Sequence, residues 1–185
     1  LRTEGRDPDS VGVLWQTPIA VRETDREAQA YREMLRGSMS PEAVAVYLSY
    51  IDGYDFSTLP AHFTLGELRE QIIATQASPN GLVTKLAYKF GADATISRKD
   101  FLEQALLTVT QYENTIAGTP KHVADVLEER FEATGCRGGF MIGQAIAVIA
   151  DLQSIGDLLV PELQRRGLFR TEYCGRTLRE TLAES

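Results

Sequence analysis

Two histidines, two cysteines and a pair of adjacent glycines are the first places to look for chemistry in this chain of 185 residues. His62 follows a turn-rich stretch, Asp52 to Pro60, whose Gly53-Tyr54-Asp55-Phe56-Ser57 carries enough aromatic surface to be packed down. On such a loop a histidine could act as a proton donor over a pocket, with the loop as its lid, although loop histidines are more often merely exposed or hydrogen-bonded. His122 sits just inside a helix N-terminus and reads as a surface residue. Cys136 and Cys174 form no CxxC pair, so neither a zinc site nor a disulfide framework is signalled, and two reduced, inert thiols are expected. Gly138-Gly139 invites a phosphate-loop reading, but the pair precedes an apolar segment and so falls at the wrong end of a strand. No Ser-His-Asp, metal-ligand or paired-carboxylate pattern rises above chance spacing. Any reaction must therefore draw its reactive group from elsewhere.

Composition narrows the partners. With 43% hydrophobic and 24% charged residues the chain has the make-up of an ordinary globular domain. A net charge of -7, with its 19 cationic residues scattered among carboxylates, argues against nucleic acid and against an anionic membrane surface, either of which wants a concentrated basic face. No apolar run approaches the roughly 18 residues of a membrane span, and no signal peptide is recognisable; a cytoplasmic protein is expected. Leu1 is not an initiator Met, and a polar approach ending Asp7-Pro8-Asp9-Ser10 leads straight into an apolar strand, as if the sequence began in the middle of a longer protein.

The elements that would position any site follow from pattern. Residues 11–21, VGVLWQTPIAV, are β-branched, aromatic and nearly uncharged, which predicts a strand buried on both faces; Pro18 predicts that regular pairing ends near Gln16 or Thr17. Thr24-x-x-Glu27 and Thr64-x-x-Glu67 are capping boxes, and Ser40-Pro41, Ser78-Pro79, Ser97 and Thr119-Pro120 are further helix starts. The region 24–117 thus reads as a helix and a helical insertion, 118–135 as another helix, and 138–143 as a second strand. Residues 145–150 are an apolar stretch of uncertain type. A terminal helix and tail occupy 155–185, with Pro161 predicted to kink the helix and Gly167 to end it in the left-handed conformation.

Two buried strands cannot stand as a sheet, because each needs neighbours and a covered face. A closed eight-stranded α/β barrel takes about 250 residues, so the expected fold class is α/β, the C-terminal portion of a TIM (β/α)8 barrel, dominated by helix with about two barrel strands. Barrel sites lie at the C-terminal ends of the strands. That rule selects Trp15, Gln16 and Thr17 on the first strand, and Met141 and Gln144, with Ile142 and Gly143 between them, on the second. All are neutral and suit a substrate-pocket wall rather than acid–base machinery; His62 is the remaining pocket candidate. With no Arg or Lys at either strand end, a polyanionic chelate fits poorly and a neutral or apolar substrate is favoured.

Several stretches resemble one family. Gly5-Arg6-Asp7-Pro8-Asp9-Ser10-Val11 before a strand, Gly53-Tyr54-Asp55-Phe56-Ser57, Gly118-Thr119-Pro120-Lys121-His122-Val123-Ala124-Asp125, Gly139-Phe140, and above all the tail from Val160 through Gly167-Leu168-Phe169-Arg170 to Glu180 occur in the family's order. Together they resemble the bacterial-luciferase-like flavin-dependent monooxygenases, in the branch that includes nitrilotriacetate monooxygenase, dibenzothiophene-sulfone monooxygenase and pristinamycin synthase. The resemblance makes 11–21 strand seven and 138–143 strand eight. The family pattern has Pro-Gly after the Val-Leu of the first strand and Asn after the Gly-Phe of the second; Trp15-Gln16 and Met141 depart from it where substrate contacts are expected.

The resemblance implies a two-component enzyme: a separate flavin reductase supplies reduced FMN, and oxygen is used to oxygenate a small organic substrate. The cofactor carries the chemistry, while the protein orients it and excludes water. It also implies that the residues holding FMN precede strand seven, outside this chain, so that catalysis needs the remainder of the barrel, and that the enzyme is a homo-oligomer. Two rival readings stand beside it. One is a deazaflavin-dependent oxidoreductase of the same superfamily, transferring hydride. The other is a non-catalytic helical interaction module using unpaired strand edges.

Overall fold

The computed structural model describes residues 2–5, 7, 12–75, 81–135, 138–143, 149–173 and 175–183. After a short 3-10 turn at Arg2–Glu4 come β1 (Val13–Val21), α1 (Asp25–Arg36), α2 (Pro41–Asp52), a 3-10 turn (Phe56–Thr58), β2 (His62–Thr64) and α3 (Leu65–Ala74). There follow α4 (Gly81–Phe90), β3 (Thr95–Ser97), α5 (Arg98–Val109), β4 (Ile116–Gly118), α6 (Pro120–Ala133) and β5 (Gly138–Gly143). The chain closes with α7 (Ile149–Ser154), a π-helical turn (Ile155–Leu159), α8 (Val160–Arg165) and α9 (Leu178–Ala183). These elements fall into two compact units, residues 33–114 and residues 1–32 with 115–185.

The second of these units holds a sheet of order β4-β1-β5, parallel throughout. The expected pair of strands is thus joined by a third, β4, too short to announce itself by periodicity. β1 pairs with β5 from Val13↔Gly138 to Pro18↔Gly143, and with β4 from Ile19↔Ile116 to Val21↔Gly118. This corrects the predicted strand end: pairing continues to Val21. Pro18 is tolerated because it sits at the last register pair with β5, where the ladder on that side ends and the lost N–H matters least.

Side chains alternate across a strand, but burial here also changes along it: residues 14–16 of β1 are exposed and residues 17–21 are buried, so the expected burial on both faces holds only for the second half of the strand. Ile19, Val21 and Ile116 pack with Val123 and Leu127 of α6 and with Leu159 of the π-helical turn. Phe140, in register with Trp15, joins the same cluster, so odd-numbered residues of β1 face the helices. Leu14 and Met141 point the other way and are 70% and 55% exposed, which no isolated sheet face of this character tolerates well.

Pro161 does not break the terminal helix. It cannot donate a backbone hydrogen bond, and the helix answers one residue earlier by widening: Val160 N–H donates to Ile155 O, five residues back. The end at Gly167 follows expectation. Its φ is 72°, Leu168 N–H donates to Leu163 O at 2.9 Å and Gly167 N–H to Gln164 O at 3.0 Å, which together make a Schellman closure. Beyond it, the Gln164 amide donates to Arg170 O and the Arg170 guanidinium to Thr181 O, tying tail and α9 back to α8.

The other unit is mainly helical and also holds a short pairing: β2 and β3 run antiparallel, His62↔Ser97 to Thr64↔Thr95. Its core gathers on Phe101, stacked on Phe56 at 5.9 Å and met edge-on by Phe63 at 5.5 Å. The Asp55 carboxylate accepts from Ser57 N–H and holds the Gly53–Ser57 loop down so that Phe56 is fully buried. Ser40, Thr64 and Ser97 cap α2, α3 and α5, with a complete capping box at Thr64 and Glu67. Ser78-Pro79, Gln144, residues 145–148, Cys136 and Cys174 lie outside the described residues.

Candidate functional site at the strand ends

A parallel sheet with helices on one face presents its useful chemistry where strands end and helices begin. Gly143 ends β5. Gly118 ends β4, and the Thr119 side chain caps α6 by accepting from His122 N–H. Gly118 has a steric reason to be glycine: a Cβ there would lie 2.4 Å from His122 Cδ2. β1 ends at Val21, and Arg22 N–H crosses to Gly118 O at 3.0 Å.

Beyond Val21 stands a compact ionic cluster. Arg22 Nη2 lies 2.6 Å from Asp151 Oδ1, Arg22 Nη1 donates to Val21 O at 2.7 Å, and the guanidinium stacks 4.1 Å from the centroid of the Tyr31 ring. The Tyr31 hydroxyl donates to Asp151 Oδ2. Asp151 is only 3% exposed. Burial and the adjacent Asp151 carboxylate push the Tyr31 phenol up to about 12, against a smaller opposing pull from Arg22. Sequence reasoning misses this cluster. The available signals are a lone acid in the apolar run before Leu152 and an arginine directly after an uncharged strand.

The expected pocket residues are distributed as follows. Trp15, Gln16 and Thr17 lie in the first two-thirds of β1 and not at its end. Gln16 and Met141 are a register pair on the exposed part of one sheet face, whereas Trp15 and Thr17 project on the helix-bearing side, Thr17 fully buried with its hydroxyl donating to Trp15 O. His62 belongs to the other unit, exposed at the start of β2. Gly138 and Gly139 open β5 at its N-terminal end, away from the strand-end face.

These residues do not make a flavin phosphate site: the Arg22 guanidinium is already engaged by Asp151 and Val21 O. A recess of about 230 Å³ between α8 and the tail, where Arg170 lies near the rings of Phe169 and Tyr173, belongs to the tail and not to the strand ends. Among the described residues there is no group of three or more His, Cys, Asp or Glu that could hold a metal ion, and no helix is long and apolar enough to cross a membrane.

Parallel strands packed against helices, with Leu14, Gln16 and Met141 left exposed, have the local architecture of an α/β fold. Comparison with known proteins adds the barrel: over nearly its whole length the chain is similar to luciferase-like monooxygenases. No protein-family model matches it. It is 29% identical over 178 residues to dibenzothiophene-sulfone monooxygenase of Rhodococcus erythropolis, covering 96% of this chain and 38% of that protein. It is 25% identical over 187 residues to N-acetyl-S-(2-succino)cysteine monooxygenase of Bacillus subtilis (strain 168), covering 95% and 38%. Among solved structures, riboflavin lyase with modified FMN and riboflavin superposes with a TM-score of 0.74 at 23% identity, over 100% of this chain and 38% of that one. The chain therefore spans well under half the length of the curated relatives it matches.

Proposed function

We propose that this chain is part of a two-component FMN-dependent monooxygenase. The observation that carries the reading is its kinship, at 25% and 29% identity over at least 95% of its length, with monooxygenases of chemically different substrates. Reduced FMN, delivered by a separate flavin reductase, supplies two electrons; one atom of O2 enters a small organic substrate and the other leaves as water. Residues outside this chain hold the FMN, and the complete protein is a cytoplasmic homo-oligomer. Within the chain, Gln16 and Met141 wall the substrate pocket from the exposed part of one sheet face; Trp15, Thr17, His62 and Gln144 are each separate candidates for substrate contact, not members of that wall. Both wall residues are neutral, which favours a neutral or apolar substrate over a polycarboxylate.

The test uses the complete protein with a flavin reductase, FMN, 18O-labelled O2 and two sets of compounds, neutral aromatic or alicyclic molecules and aminopolycarboxylates. Incorporation of one labelled oxygen into a neutral compound is expected, with Met141→Glu raising KM for it. No labelled product from any compound overturns the oxygenase reading, and faster oxidation of an aminopolycarboxylate overturns the substrate class. The 20.5 kDa chain purified alone should be colourless and self-associating; a stable, monodisperse monomer would show that the exposed part of the sheet needs no further strands.

A further inference from the structure

We propose that Asp151 is a positioning residue for the sheet face that carries Gln16 and Met141: through Arg22 it holds the C-terminal end of β1 against α7, the helix after β5, and so fixes the two neighbouring strands on which those residues lie. The inference rests on the pocket reading of that face.

Three elements meet at one carboxylate. Asp151 lies on α7, Arg22 directly after β1 and Tyr31 on α1, separated from Asp151 by 129 and 120 residues of chain. β1 and β5 are in register up to Pro18↔Gly143, so each leaves the shared ladder close to where the cluster gathers Arg22 and α7. The cluster is closed upon itself. Each oxygen of Asp151 receives one donor, and Arg22 spends its second nitrogen on the carbonyl of Val21, the last residue of β1. A guanidinium so occupied fixes backbone and does not capture a ligand. The stakes are set by burial, because removing one partner of a buried ion pair strands the other charge. The planar fork of arginine, bonded to a carboxylate and a carbonyl at once, also fixes direction in a way a lysine cannot.

The experiment compares Asp151→Asn, Tyr31→Phe, Arg22→Lys and Arg22→Met in the complete protein. Tyr31→Phe is the mildest change and keeps the test alive if an Asp151 variant fails to fold. A positioning role predicts that Asp151→Asn raises KM for the organic substrate about tenfold while kcat stays within about threefold of the parent, with Arg22→Lys recovering part of what Arg22→Met loses. A role confined to stability predicts the opposite, a loss of kcat through a smaller active fraction at unchanged KM, and that result overturns the proposal. Hydrogen exchange reads the same point without turnover. In Tyr31→Phe, amides at 19–22 and 149–154 should exchange several-fold faster while those of α6 hold; unchanged or uniformly faster exchange overturns the proposal. Should the parent protein oxygenate nothing, the function falls, and the exchange pattern alone decides the positioning.

Discussion

Arg166 Nε holds Glu162 Oε1 at 2.7 Å one turn back on its own helix, and the same guanidinium reaches Asp125 at 2.8 Å and Glu128 at 3.1 Å on α6. One side chain therefore bolts α8 to α6 over the cluster formed by Val123, Leu127, Leu159 and Leu163. Arg166→Met removes the bolt and leaves three carboxylates facing one another. It should lower Tm by roughly 3–6 °C, more than an exposed ion pair would, because the charges form a network. Thermal melts of the variant beside Arg165→Met, whose side chain is 70% exposed, check the contrast.

The acid limb follows from Glu162. Hydrogen bonds from Arg165 and Arg166 hold its carboxyl down at about 2, and Asp125 is lowered too, chiefly by Lys121 and then by Arg166. A depressed carboxyl contributes stability that is present above the unfolded value and is lost as pH falls through the folded one. The contribution of Glu162 should therefore drain away between about pH 4.5 and 2. Stability of Glu162→Gln, measured against pH, should be flatter in that window than the parent. Parallel curves would contradict the assignment.

At the alkaline end the sign reverses. The neutral phenol of Tyr31 is the form the fold prefers, raised to about 12 by burial and by Asp151. Its contribution is complete below the ordinary tyrosine value near 10 and is lost as pH rises toward 12. Difference absorbance at about 295 nm, where tyrosinate absorbs, should show one late-titrating tyrosine that disappears in Tyr31→Phe.

The tail has its own sensitive point. A Cβ on Gly175 would stand 2.6 Å from Glu180 Cβ and 2.8 Å from Thr181 N, a clash with backbone that no rotamer relieves. Gly175→Ala should thus displace α9 and break the local closure in which Glu180 accepts from Arg176 and Thr177 N–H while Thr177 Oγ1 accepts from Glu180 N–H. Overpacking of this kind costs about 1–3 kcal/mol. Limited proteolysis should find the tail in the variant well before the parent.

Local chemistry makes much of the fold readable. Ser40, Thr64, Ser97 and Thr119 cap where their spacing predicts, because a cap is decided within four residues, and Gly167 ends its helix for the same reason. Thr177-x-x-Glu180, which opens α9, carries the same signature inside a stretch that otherwise reads only as tail. Pairing is a different matter, because local pattern does not carry it. β4 is three residues long, β2 and β3 likewise, and Pro18 mimics a strand end because its tolerance depends on which neighbour stops beside it. The Arg22–Asp151–Tyr31 cluster is out of reach altogether, since it joins residues more than a hundred positions apart.

The π-helical turn at Ile155–Leu159 sets a phase. An extra residue in one turn rotates everything after it by about 100° relative to an uninterrupted helix, so the direction in which Asp151 points and the direction in which Arg166 points are matched through that one irregular turn. Shortening it by a residue, for instance by deleting Gly156, would give a more regular helix able to satisfy the anchor at one end or the anchor at the other. Regularity there is incompatible with holding both.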